Sequence, residues 1–462
     1  MQRKITPGRT WRRGEPGFDD AVLGTSFNAR DPGQRPDIVV QANSTEHVIA
    51  AMHLARQQDL EVGICSGGHS WTQNHIRDGG LLIDMSRLNA LAIDTVKKTA
   101  IVGPGCLCGE LNDALAANGL FFPVAHAYTV GVGGFLLQGG FGWNSRAIGL
   151  ACENVIGFDA VLADGSFVHA SETQNADLFW AARGAGPGFF AAIVRFHLKL
   201  HARPRFMGLK LQVFRMKHLE EVFTWADRVG PSVASSVEFQ IVLNRKTIGI
   251  GAPGMDVLAP VIANTWKEAR EAVAFIKDSP LRAKASITSP LVPISLSRMM
   301  KTGEKALFLP NIHWYTDNMW IAGGIERMLP ALRTIADTQP PAPSHALWLN
   351  WNPPAHRPDM AFSVEDRTYL ALYGGLRNPK DIAAHADWAT RSMRALEPFS
   401  SGIQLADENL LRRPARFLKE AHMTRIEKIR AHYDPDGRFP SWSGSTPKME
   451  SRIPERMVAA AR

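Results

Sequence analysis

The chain has 462 residues, 45% hydrophobic and 21% charged, a globular composition with enough apolar material for two or three sizeable cores. Its formal net charge of +8 comes from scattered Lys and Arg with no basic stripe beyond "RKITPGRTWRR", which argues against a nucleic-acid binder. Four cysteines are too few for a disulfide scaffold, no apolar run reaches the roughly 18 residues of a membrane span, and no apolar segment follows Arg12-Arg13 to make an export signal, so a cytoplasmic protein without membrane or nucleic-acid partners is expected.

From the amino end, "RPDIVVQ" reads as a strand and Ser44 as the cap of a helix running to about Arg56, with Val48, Ile49, Met52 and Leu54 as its periodic apolar residues. "LEVGIC" is the next strand and closes a β-α-β unit; "LLIDMS" and "KTAIVGPG" are further strands. "LCGELNDALAANG" is an amphipathic helix stopped by Gly119. "FDAVLADGSFVHA" is a hairpin turning at Asp164-Gly165, and "FFAAIVRFHLKLH" is a strand that alternates towards its end. From about Phe206 the strands "GLKLQVF", "SVEFQIVL" and "TYLALYGG" lengthen and alternate clearly, as in an antiparallel sheet with one covered face. Helices at about Leu219–Val229, Lys267–Lys277 and Asp381–Leu396 separate them, and "TQPPAPSH" is a loop. A helical segment from Leu410 to about His432 leads into "YDPDGRFPSW". The expected architecture is α+β: a first domain over residues 1–205, an antiparallel-sheet domain covered by helices over 206–410, and a segment 411–462 returning to the first.

Two stretches carry the chemistry. In "EVGICSGGHSWTQN" an apolar strand ends in Gly67-Gly68, which sacrifices order unless something must lie close to the backbone. In "TVGVGGFLLQGGFGWNSRAIG" six glycines fall between Gly131 and Gly142. Bare backbone of this kind suits a phosphate, but the dinucleotide fingerprint fails in each register, with Leu136, Ser145 or Phe189 where its last glycine belongs, and no P-loop occurs. Cys106 and Cys108 form C-x-C with no second ligand pair at finger spacing, so no metal site is expected.

"CSGGHSW" followed by "TVGVGGFLLQGGFGW", the hairpin and the closing "YDPDGRF" resembles the flavin-binding domain of the vanillyl-alcohol oxidase and p-cresol methylhydroxylase family, in its berberine-bridge-enzyme-like branch. The resemblance spans most of residues 36–200 and implies FAD. It places the pyrophosphate against Ser66, Gly67, Gly68, His69 and Ser70 and against the turn of Val130, Gly131, Gly133 and Gly134, and it implies a covalent bond from His69 to the methyl of the flavin's benzene ring. Gly139, Gly140 and Gly142 match the family's second glycine segment; Asn154, Val155 and Val194 match positions beside the cofactor. A second tether carried by many relatives, a cysteine before "TVGVGG", is replaced by Ala127, so attachment through His69 alone is expected. "PSW" stands where Asn-Gln-Asn is usual, and Ile403 stands where the family's tyrosine-containing strand runs, so the family's base cannot be transferred.

A flavin enzyme needs a C–H bond aimed at N5 and a group that takes the O–H or N–H proton. "NIHWYTDNMW" puts His313, Tyr315 and Asp317 on one face of a strand, which makes His313 and Tyr315 candidate bases, with Glu238 on "SVEFQIVL" a third. Trp314, Trp320, Trp348 and Trp351 fit an apolar or aromatic substrate, or a core. The expected function is an FAD-linked oxidoreductase acting on CH–OH or CH–NH groups of a small molecule, with oxygen as acceptor. Two alternatives stay open: a dehydrogenase or oxidative cyclase using another acceptor, and a flavin-fold binding protein without catalysis.

Overall fold

The computed structural model describes residues 8–442; the ends of the amino-terminal basic tract and of the 411–462 segment lie outside them. Ser44 does cap a helix, Thr45–Gln57, its Oγ accepting from the His47 amide at 3.3 Å. That helix connects Ile38–Gln41 to Val62–Cys65, and both strands pair in parallel with Leu81–Asp84 between them. Arg9–Arg12 adds an antiparallel edge. A second sheet is antiparallel, in the order Leu91–Asp94, Thr99–Val102, Ala192–Lys199, Val155–Val161, Phe167–Ser171. Its last two strands are the hairpin expected at Asp164-Gly165, with Asp159 opposite His169.

The remaining large sheet has nine antiparallel strands, five of which build its middle: Phe206–Arg215, Gly254–Ala263, Phe239–Asn244, His345–Asn350 and Thr368–Leu376. His313–Ile321 pairs outside Thr368–Leu376. Because side chains alternate, one face of this sheet presents Ile241, Leu243, Val257, Trp348, Leu370 and Leu372 to the helices Leu219–Val229, Ile325–Thr338 and Trp388–Leu396, forming a closed apolar core. The other face looks towards the first two sheets, which makes an α+β, two-domain fold. An aromatic cluster including Trp71, Trp314, Trp320, Trp351, Tyr369 and Tyr373 fills much of the junction.

Several element limits differ from expectation. Lys267–Lys277 divides into Trp266–Ala272 and Ala274–Lys277, and Asp381–Leu396 into Pro379–His385 and Trp388–Leu396. The segment after Leu410 stays irregular until the helix Glu420–Tyr433, since Pro414 cannot donate to a helix and Arg413 is drawn into the sheet by Asp317, Nη2 to Oδ1 at 2.6 Å. Beyond that helix the chain crosses to the first sheet, where the Val62 amide donates to the Arg438 carbonyl at 2.8 Å. The Arg438 guanidinium donates to the carbonyls of Ala55 and Leu60 at 3.2 and 3.1 Å. Among the described residues no helix is long and apolar enough to cross a membrane.

Candidate active site

The strand Val62–Cys65 delivers Ser66–Ser70 to the mouth of a cavity of about 520 Å³. There Gly67 runs against Gly131, the residue that opens the short helix Val132–Leu137. A Cβ on Gly67 would lie 2.4 Å from the Gly131 Cα, so neither backbone could carry a side chain. Gly68 takes φ +69°, where a Cβ would fall 2.2 Å from the Thr25 carbonyl oxygen. Only glycine satisfies both demands. Gly134 differs: nothing lies within 4 Å of its Cβ position, and it borders the cavity. Ser66, His69, Ser70, Val130 and Gly133 border it too, as do Phe439 and Pro440 of the tail. A bare backbone cradle opening on a long cavity fits the FAD that the two glycine stretches imply, and these residues are the ones that would hold it.

His69 stands at the wall of this cavity, stacked on Phe27 with ring centroids 4.3 Å apart and planes 10° from parallel. Burial pushes its pKa down to about 4, so the imidazole is neutral at physiological pH. Its Nε2 lies 2.8 Å from the Thr129 hydroxyl, which donates in turn to Glu304. A hydroxyl has one proton to give. With that proton on Glu304, Thr129 must accept from Nε2–H, which leaves Nδ1 with a bare lone pair. Ala127 lines the same cavity without a thiol. The four cysteines are buried and unpaired, and burial pushes the thiols of Cys106 and Cys108 up to about 12.

Other expected positions fall less close. Of the second glycine segment, Gly140 borders the cavity, whereas Gly139 meets the Phe362 ring and Gly142 the Val124 carbonyl. Asn154 is buried behind, its Nδ2 donating to the Leu150 carbonyl at 3.0 Å. Val155 and Val194 are core residues of the second sheet, with Ile193 and Phe196 rather than Val194 at the cavity wall.

The three candidate bases, His313, Tyr315 and Glu238, do not line the cavity. His313, Tyr315 and Asp317 do share one strand face, but it is the opposite one. Thr316 pairs with Tyr373 and Trp320 with Tyr369, so the even-numbered residues turn towards the first domain and the odd-numbered ones away. Tyr315 lies between the guanidinium groups of Arg30 and Arg412, and Asp317 is consumed by Arg413. His313 and Tyr315 are absent from the cavity wall. Glu238 sits just behind it, accepting from the Asn144 amide at 3.1 Å and from Gln240 at 3.2 Å, and 2.8 Å from His126 Nε2; His126 and Gln240 themselves reach the cavity. Trp314, Trp320, Trp348 and Trp351 are core.

Among the polar groups that line the cavity, Tyr369, Tyr373 and Asp407 form one hydrogen-bonded set. Tyr373 donates to Asp407 Oδ2 at 2.9 Å, and Tyr369 donates to the same oxygen. Burial, then the charge of Asp407, pushes both phenols well above their ordinary 10. Burial also lifts Asp407 above its ordinary 3.8, against hydrogen bonds from Tyr369, Tyr373 and Trp71. The signal was present in "TYLALYGG": two tyrosines four apart lie on one strand face. Away from the cavity, Asp159, His169 and His197 bring possible ligand atoms within 4.8 Å of one another, but Arg195 already pairs with that carboxylate at 2.8 Å.

Comparison with known proteins agrees with this geometry. Residues 36–171 match the FAD binding domain family. The FAD-linked oxidoreductase nodO of Hypoxylon pulicicidum is 31% identical over 436 residues, 93% of this chain and 96% of that protein. Among solved structures, 6-hydroxy-D-nicotine oxidase from Arthrobacter nicotinovorans superposes with a TM-score of 0.82 at 21% identity, covering 95% of this chain and 98% of the other. BBE-like 1 of Physcomitrella patens gives 0.82 at 18%, covering 94% and 96%. A glycine cradle, a neutral histidine at its mouth and near full-length similarity lead to one conclusion: the chain belongs to the FAD-linked oxidoreductases.

Proposed function

We propose that this protein is an FAD-dependent oxidase that removes hydride from an alcohol or amine carbon of an apolar small molecule. The observation that carries the reading is the Tyr369–Asp407–Tyr373 group, buried on the wall of the same cavity as the glycine cradle. Bound FAD would supply the hydride acceptor, with oxygen as the final oxidant. The chain's own residues manage the proton. A substrate hydroxyl or amine that donates to one of the tyrosine oxygens hands its proton along a path already set, because that phenol's own O–H points at Asp407. The inner sheet face around it offers Val242, Leu258, Leu347 and Leu349 to an apolar skeleton, with Gln240, Asn244 and Asp256 between them as polar contacts.

The same reading includes the His69 tether. His69 would be the residue that holds the flavin covalently, through Nδ1 to the methyl of its benzene ring, with the methyl proton and the Nε2 proton released and the electron pair given up to oxygen; Thr129 and Glu304 would take the Nε2 proton. A neutral imidazole with Nδ1 bare is what this bond requires.

The test is anaerobic mixing of the FAD-loaded protein with benzyl alcohol, benzylamine and wider aromatic homologues, following loss of the flavin's visible absorbance. Bleaching followed by oxygen consumption on aeration is expected, and Asp407→Asn should slow bleaching roughly 100- to 10,000-fold, the usual worth of a general base. Bleaching relieved by a dye but not by oxygen would make it a dehydrogenase. Bound flavin that no member of the panel bleaches would turn the reading towards a binding protein.

A further inference from the structure

The helix Leu296–Leu307 roofs the cavity opposite the sheet. Ser295 caps it, Oγ accepting from the Arg298 amide at 3.3 Å. Met299, Thr302, Gly303, Ala306 and Leu307 all border the cavity, and that spacing is one face of a helix. Other positions fasten it to the first domain. Lys301 lies 4.5 Å above the Tyr128 ring and 3.9 Å from Asp113, and Glu304 receives the Thr129 hydroxyl. These contacts tie the helix to the first domain.

Gly303 is out of place by every local rule. Glycine is among the least favourable residues in a helix interior, and it is tolerated where something needs the room. Gly109, on the helix Cys108–Ala117, shows that case: a Cβ there would fall 2.1 Å from the Tyr128 ring. At Gly303 nothing of the protein lies within 4 Å of the Cβ position, which borders the cavity. No packing, capping or positive φ in the fold requires this glycine. The sheet lines the same cavity with the aliphatic Leu209, Val242, Leu258 and Leu347, interspersed with the polar Gln240, Asn244, Lys246, Asp256 and His345.

We propose that Gly303 is a specificity-determining residue. Its missing side chain leaves clearance at the cavity wall and admits a substrate with a broad skeleton that a larger residue would exclude. This rests on the cavity being the substrate chamber of the proposed oxidase. In contact with such a substrate, Gly303 gains affinity by leaving space, so the effect of filling it must grow with substrate width.

The experiment measures dissociation constants of the FAD-loaded protein for benzyl alcohol, 2-naphthalenemethanol and 1-pyrenemethanol, from the change in flavin absorbance or probe fluorescence. Wild type should bind the wider alcohols more tightly. Gly303→Leu should weaken 1-pyrenemethanol relative to benzyl alcohol by about tenfold or more. Gly303→Ala, which favours the helix, should shift the same ratio less and leave the melting temperature no lower; it is the deciding variant if Gly303→Leu loses flavin. A ratio within about twofold of wild type in the deciding variant overturns the proposal, as does a wild type that rejects 1-pyrenemethanol. Failure of the function reading looks different. Width-dependent binding with no bleaching by any alcohol would remove the oxidase and keep Gly303, whereas bleaching with an unchanged ratio would do the reverse.

Discussion

Glu304→Gln separates two things that the His69–Thr129–Glu304 chain could do. The chain fixes which imidazole nitrogen is bare, and it offers a carboxylate to the proton that Nε2 must shed as Nδ1 bonds carbon. The sizes of these effects differ. With a pKa of about 4, His69 is already neutral in all but ~0.1% of molecules at pH 7. Losing the tautomer preference altogether would leave about half of them with Nδ1 bare, a loss of only about twofold. A positioned base is worth roughly 100- to 10,000-fold. The glutamine of this variant would still accept from the Thr129 hydroxyl through its amide oxygen, so the tautomer survives, but a neutral amide cannot take the proton. The assay is reconstitution of apoprotein with saturating FAD, acid quenching at intervals, and counting of flavin retained on the precipitate, with His69→Ala as the blank. Attachment should slow at least ~100-fold in Glu304→Gln while reversible flavin binding persists. A Glu304→Gln protein that attaches flavin at the wild-type rate refutes the proton path and leaves Glu304 an orienting residue. A Thr129→Val protein that does so removes the whole chain from the chemistry.

Two further outcomes follow from the site. Gly68→Ala must put a methyl 2.2 Å from the Thr25 carbonyl at φ +69°, so the purified variant should lose bound flavin, read from its absorbance ratio; full flavin content would show that the loop can shift without cost. His75 and His345 are buried, and burial lowers each pKa from an ordinary 6.5 to about 4. The unfolded chain takes up these protons near pH 6.5 and the folded one only near 4, so the stability they contribute is complete above 6.5 and lost as pH falls to 4. That amounts to about 3 kcal/mol for each histidine. Denaturant midpoints should drop through this window, and less steeply in His345→Gln; a flat profile between pH 6.5 and 4 would refute the assignment.

The glycine-lined corner of the cavity was legible because its constraints are backbone constraints. Gly67, Gly68 and Gly131 are glycines for reasons of space that no neighbour can waive, so they survive as letters in the chain. The proposed base was not legible, and the reason is parity. Period-two alternation correctly groups His313, Tyr315 and Asp317 on one face, but it cannot say which face meets the ligand; that depends on where the helices dock. The same alternation in "TYLALYGG" joined Tyr369 to Tyr373, yet their common partner Asp407 is far along the chain and arrives only through tertiary folding. Pro330 inside Ile325–Thr338 and Gly303 inside Leu296–Leu307 obscured two helices that tertiary packing maintains against local propensity.

One question about the base can be decided by magnitude. A proton leaving the substrate could come to rest on a tyrosine already ionised, or on Asp407 with a tyrosine as conduit. Both phenols lie well above their ordinary 10, so holding either as phenolate at pH 7 costs more than about 4 kcal/mol. That penalty would slow the step more than roughly a thousandfold. Asp407 is the cheaper resting place, since burial raises it from a starting point of only 3.8. With Asp407 as the proposed base, activity requires the ionised carboxylate, so the rate of flavin reduction should fall on the acid side, through a pKa above 3.8, and show no rise towards about pH 10. Tyr369→Phe and Tyr373→Phe should then differ, with the larger loss in the variant lacking the hydroxyl that meets substrate, and the acid limb should move in both because each removes a hydrogen bond that opposes the rise. A rate that instead climbs through about pH 9 to 10, and loses that climb in one of the two phenylalanine variants, would make a phenolate the base and Asp407 only its anchor.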